Sequence, residues 1–128
     1  MPARYAIDKQ RRLVILTAWD RLEFSDLRAL QEQVSRDPDF NPDFSMLGDL
    51  AAVTEFALTV DETKTIAGRS AFSATSRRAL VASQPAVLGM AAMLQAYREV
   101  FGVQDEGQGV VFYDRGAALK FLGITEGS

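Results

Sequence analysis

The chain has 128 residues and a formal net charge of −3, with 48% hydrophobic and 24% charged residues. This is the profile of one soluble globular domain that can bury a core without staples. It contains no cysteine and no histidine, which excludes disulfides, thiolate nucleophiles, zinc sites built on those residues and the Ser-His-Asp triad. Acids and bases are interspersed, so nothing indicates the basic face that nucleic acid requires.

In chain order, "RYAIDKQRRLVILTA" predicts two strands joined by a tight turn at Asp8 to Arg11. Tyr5 and Ile7 alternate with polar neighbours, as in a half-exposed strand. Leu13 to Leu16 is continuously apolar, as in a strand buried on both faces. "WDRLEF" reads as a loop, with Ser25 as the N-cap of a helix that presents Leu27, Leu30 and Val34 on one face. The prolines of "RDPDFNPDF" bias Asp37 and Asn41 away from helical geometry and stop that helix. "FSMLGDL" predicts a short buried strand, and "TVDETKTIAGRSAF" a second helix with Val60, Ile66 and Ala67 inward. "SRRALVAS" predicts the next strand. Val87, Met90, Ala91, Leu94, Tyr97, Arg98 and Phe101 then recur at helical spacing, with Gly102 as a stop. "GVVFYD" and "RGAALKFLGI" predict a last strand and a terminal helix with Ala118, Phe121 and Leu122 inward.

The order β-β-α-β-α-β-α-β-α predicts a single α/β domain over residues 1–124, followed by a loose tail over 125–128. Its sheet is mixed and mostly parallel, of about five strands flanked by helices, with the first strand antiparallel at an edge. The segment "MPARYAIDKQRR" has no apolar core for a signal peptide, and "LVILTAW" is too short to span a bilayer. A cytoplasmic protein with no membrane span is the expectation.

"DPDFNPDFSMLGDL" followed by "VTEF", "ALVAS" and "DRGAALKFLG" resembles the SpoIIAA-like (STAS-type) family over nearly the whole chain. The resemblance implies a small α/β sheet flanked by helices and a relation in topology to CRAL-TRIO lipid-carrying domains. In the anti-sigma-factor antagonists of that family, a strand ending in Asp-Leu leads through a loop to Asp-Ser-Ser or Asp-Ser-Thr. Asp49-Leu50 matches the strand end, and Val53-Thr54-Glu55-Phe56 the loop. Ala57 then stands for the motif's Asp and Leu58 for its phosphorylated Ser, so the phosphoacceptor is missing. Thr59 keeps a hydroxyl, but Thr59-Val60-Asp61-Glu62 is also a capping box, which accounts for it. Phosphate on Thr59 would meet the repulsion of Asp61 and Glu62.

Other candidates each have a plain structural explanation. Asp20, Asp49 and Gln84 fall near the ends of predicted strands and form a candidate polar rim; Asp114 reads as an N-cap. Asp37, Asp39 and Asp43 lack the spacing of a calcium loop, so no metal is expected. Arg11-Arg12 and Arg77-Arg78 would bind an anion if they met at one end of the sheet, but exposed charge at strand starts is the commoner explanation. Met90, Met93 and Tyr97 fill a core gap or line an apolar pocket. The glycines of "GVQDEGQG" lack the residues of a phosphate loop.

The function these residues suggest is a non-enzymatic binding or regulatory module without cofactor. Its protein partner would meet a surface of Glu55, Phe56, Leu58, Thr59 and Glu62, with Phe56 and Leu58 as apolar anchors. One alternative is a carrier of a small apolar or lipid-like ligand, held between the third helix and the sheet. A second is an enzyme using carboxylates alone, with Asp20, Asp49 and Glu55 in its site. An exposed edge strand would also admit a homodimer.

Overall fold

The computed structural model describes residues 2–69, 71–73, 75–101 and 109–124, without the side chains of 94, 95 and 97–101. Gly102 and the 125–128 tail lie outside the described residues. Strand β1 (Ala3–Asp8) runs antiparallel to β2 (Leu13–Glu23). Between them the Arg11 amide donates to Asp8 Oδ1 at 3.0 Å, and Arg12 takes φ 54° to complete the turn. Strands β3 (Ser45–Ala57), β4 (Arg78–Val81) and β5 (Gly109–Phe112) follow, each parallel to the one before. Among the described residues this makes one five-stranded sheet of order β1-β2-β3-β4-β5.

That order decides where the helices go. Every crossover from β2 to β5 advances by one strand in the same direction, and right-handed crossovers then lie on the same face. Accordingly α1 (Phe24–Arg36), α2 (Val60–Gly68) and α3 (Pro85–Phe101) share one face, packed against one another in sequence. Leu30 of α1 and Val87 and Ala91 of α3 close there over Ala18, Leu22, Met46, Leu50 and Leu80 of the sheet. Helix α4 (Arg115–Phe121) covers the opposite face. Its Ala118 and Leu119 meet Leu13, Leu47, Ala79 and Val81. Strand alternation divides the two cores: Met46 faces the three helices and Leu47 faces α4.

Two strands run further than their sequence suggests. "WDRLEF" and "VTEF", both read as loops, are largely strand: Trp19 pairs with Ala52, Leu22 with Phe56 and Glu23 with Ala57. Their mixed polar pattern arises because this part of the ribbon is covered on one face only; Leu22 and Val53 are fully buried while Arg21, Thr54 and Glu55 are exposed. Register shifts flank Asp20, which takes φ 56°. Strand β2 thus continues through Asp20 rather than ending near it. The longer strand also moves the first cap: Glu23, not Ser25, is the N-cap of α1, and its amide donates to Asp26 Oδ2 at 2.9 Å.

The other caps form as the sequence indicates. Glu62 N–H donates to Thr59 Oγ1 at 3.1 Å, and Thr59 N–H donates to Glu62 Oε1 at 2.9 Å. Ala117 N–H donates to Asp114 Oδ2 at 3.2 Å. At the sheet edge, Tyr5 Oη donates to Asp37 Oδ2 at 2.8 Å, tying β1 to the end of α1. That bond raises the phenol pKa above its ordinary value.

Two stability measurements test these assignments. Thr59→Ala removes one half of the capping box and is expected to lower unfolding free energy by about 1 kcal/mol in denaturant titration; no change would mean the cap is dispensable. Asp20→Val is expected to be about 1–2 kcal/mol less stable than Asp20→Gly, because only glycine takes positive φ freely. Equal stability of the two would show that β2 does not bend there.

Candidate functional site

The site grows from a glycine in the middle of the sheet. Gly48 stands between Leu16 on β2 and Leu80 on β4, its direct cross-strand neighbours. A Cβ on Gly48 would lie 2.5 Å from Leu80 Cδ2, so the position has no room for a side chain while Leu80 keeps its rotamer. Above this floor is a cavity of about 110 Å³. Leu30 and Val34 of α1 and Ile66 and Ala67 of α2 form its roof, and Leu50 and Phe56 lie toward the C-terminal ends of the strands. The volume is smaller than the roughly 150 Å³ apolar cavity known to hold benzene.

Among the described residues, Gln31 and Arg78 are the polar side chains lining this cavity. Gln31 is occupied: its Nε2 donates to the Ile66 carbonyl at 3.0 Å, and its Oε1 accepts from Arg28 Nη1 at 2.8 Å. Arg78 opens β4 opposite Met46 and is 1% exposed. Its Nη1 donates to the carbonyl oxygens of Ser76 (2.8 Å) and Ser73 (3.3 Å), in the connection leading into β4. The sequence reading of Arg77-Arg78 as exposed charge holds only for Arg77. Strand β4 is buried along its whole length, so its first side chain on the helix face is buried too.

The expected polar rim is not assembled. Open α/β sheets offer a crevice where the strand order reverses, and this sheet advances from β2 to β5 without reversal. Asp20 and Asp49 both lie inside strands rather than at their ends. Asp49 belongs to the α4 side, where its Oδ2 accepts from Arg115 Nη1 at 2.8 Å and its Oδ1 accepts from the Ala51 amide at 3.1 Å. Gln84 does lie just beyond β4, where its carbonyl accepts from Leu88 N–H at the start of α3. Glu55 pairs with Arg21 at 2.6 Å on the exposed side of the ribbon. None of Asp20, Asp49 and Glu55 is among the residues that line this cavity.

The apolar pocket also differs from its sequence expectation. It lies under α1 and α2, and neither Met90 nor Met93 of α3 lines it. The spacing of those methionines identified a packed helix face but not the helix that leaves a gap. The Tyr97 side chain lies outside the described residues. Phe56 and Leu58 are half-buried rather than exposed anchors, and Phe56 packs on the core that the cavity enters. The large hydrophobic residues exposed among the described ones are Val60 and Tyr113. The described residues hold no cluster of three or more candidate metal-binding side chains and no helix long and apolar enough to cross a membrane.

No protein-family model and no curated protein matches the chain. A solved structure does: an uncharacterized protein of the DUF3478 family from Shewanella loihica, described as having a SpoIIAA-like fold. It is 14% identical, covers 94% of this chain and 93% of its own, and superposes with a TM-score of 0.58. At that identity the likeness speaks to the fold alone, and with the strand order above it establishes that this chain has a SpoIIAA-like fold.

Proposed function

We propose that the chain is a non-enzymatic binding module whose ligand site is the apolar cavity under α1 and α2. The observation that carries this is the cavity itself, floored by Gly48 and walled almost wholly by apolar side chains. Close packing leaves few voids larger than a water molecule in a domain, so a space of about 110 Å³ is unusual. Its size favours a small apolar group over the whole of a lipid chain. The motif's phosphoacceptor position is Leu58, which supports a module controlled by something other than a phosphoserine at that site. Phe56 lines the cavity, and the Thr59–Glu62 cap follows it on the surface. A ligand pressing on Phe56 would thus be felt along the surface of Glu55, Phe56, Leu58, Thr59 and Glu62, where a protein partner could read it.

Xenon is the simplest probe of an apolar cavity. In amide-resolved NMR under xenon pressure, saturable shifts are expected at Gly48, Leu50 and Ile66. They should be lost in Ala67→Leu, which extends a branched side chain into the space. Absence of shifts in the unmodified protein, or their persistence in a folded Ala67→Leu, would contradict the proposal.

A further inference from the structure

We infer that strand β1 is an interface at which two copies of the chain pair edge to edge, antiparallel, about a two-fold axis at Ala6. This inference is independent of the cavity. Strand β1 ends the sheet: β2 flanks it on one side, and among the described residues no strand flanks the other. The Trp19 amide donates to the Pro2 carbonyl at 2.9 Å, which fixes the alternation along the strand. Pro2, Arg4, Ala6 and Asp8 turn their main-chain groups toward β2, whereas Ala3, Tyr5 and Ile7 turn theirs to the open edge. Such a row of main-chain groups is a template for another strand.

What selects a second copy of the chain is the order of the side chains. An antiparallel pair centred on Ala6 sets Tyr5 opposite the partner's Ile7, a pair that exchanges both of its main-chain hydrogen bonds. Arg4 then stands opposite the partner's Asp8 in the closer, non-hydrogen-bonded kind of pair, where opposite charges stabilise a sheet. The two-fold axis repeats both contacts. Arg4 is exposed, with its guanidinium 5.7 Å from the Trp19 ring centroid, and the Asp8 side chain beside Arg11 is 38% exposed, so both remain within reach of a neighbour. On the helix face, Tyr5 and Ile7 pack on Val14, Val34 and Phe44 yet stay half-buried, and a paired strand would extend that core. An axis at Tyr5 would set Asp8 opposite the partner's Pro2, and one at Ile7 would set Arg4 opposite the partner's Gln10. Of these three registers, the one centred on Ala6 joins opposite charges.

Sedimentation equilibrium of the unmodified protein is expected to show a monomer–dimer exchange. Arg4→Asp and Asp8→Arg each set like charges opposite one another, and each is expected to raise the dimer Kd about tenfold or more. Mixed in equal amounts, the two variants are expected to pair with each other, because the acidic edge of one meets the basic edge of the other. The chain has no cysteine, so Ala6→Cys introduces a lone thiol that faces its own copy across the axis. It is expected to form an intermolecular disulfide on oxidation, whereas the equally exposed Gln10→Cys lies far from its copy and is not. An unmodified protein that stays monomeric at about 1 mM would overturn the inference. So would a dimer unaffected by Arg4→Asp, or Ala6→Cys crosslinking no faster than Gln10→Cys. The cysteine pair decides the register even if Asp8→Arg does not fold.

Discussion

The unreversed order of the strands is the constraint on which the rest of the molecule depends. Because each crossover from β2 to β5 steps in one direction, α1, α2 and α3 must share a face, and α4 is left to cover the other. A sheet wound in both directions would open a crevice at its carboxyl edge. This sheet does not reverse among the described residues; Asp49, within β3, pairs with Arg115, and Asp114 caps α4. The free volume lies instead inside the crowded layer, where three helices must close over one twisted sheet. Gly48, flanked by Leu16 and Leu80, is where that closure leaves a gap.

Arg78 carries the opposite risk. A cation in a buried strand weakens a core unless its surroundings compensate the charge, and the chain leading into β4 supplies carbonyl oxygens to hold it. The same carbonyls fix the guanidinium at one end of the apolar space.

Much of the architecture was legible in the sequence because its local signals agree. The capping box at Thr59, the N-cap at Asp114 and the apolar run Leu13 to Leu16 each point to one structure. The misread parts are those where one local pattern has two physical causes. Alternating polar residues in Trp19–Glu23 and Ala52–Ala57 look like loops, yet they form a ribbon with one face in solvent. The motif alignment placed the strand end at Asp49-Leu50, where β3 in fact continues to Ala57, and so made a rim of residues that lie within strands. The cavity was beyond reach for another reason. Spacing shows which face of a helix is apolar but not whether that face is filled, and Met90 and Met93 drew attention to α3 although the space lies under α1 and α2. Arg78 did leave a signal: it alternates with Leu80 in the buried "RALV", which places it on the helix face.

The central claim is an apolar cavity floored by Gly48 and roofed by α1 and α2. A crystal structure of the protein under xenon pressure tests it most directly, because xenon marks an apolar space by anomalous scattering. A xenon peak is expected above Gly48, between Leu30 and Ile66. A structure under the same pressure with no xenon in that space would contradict it.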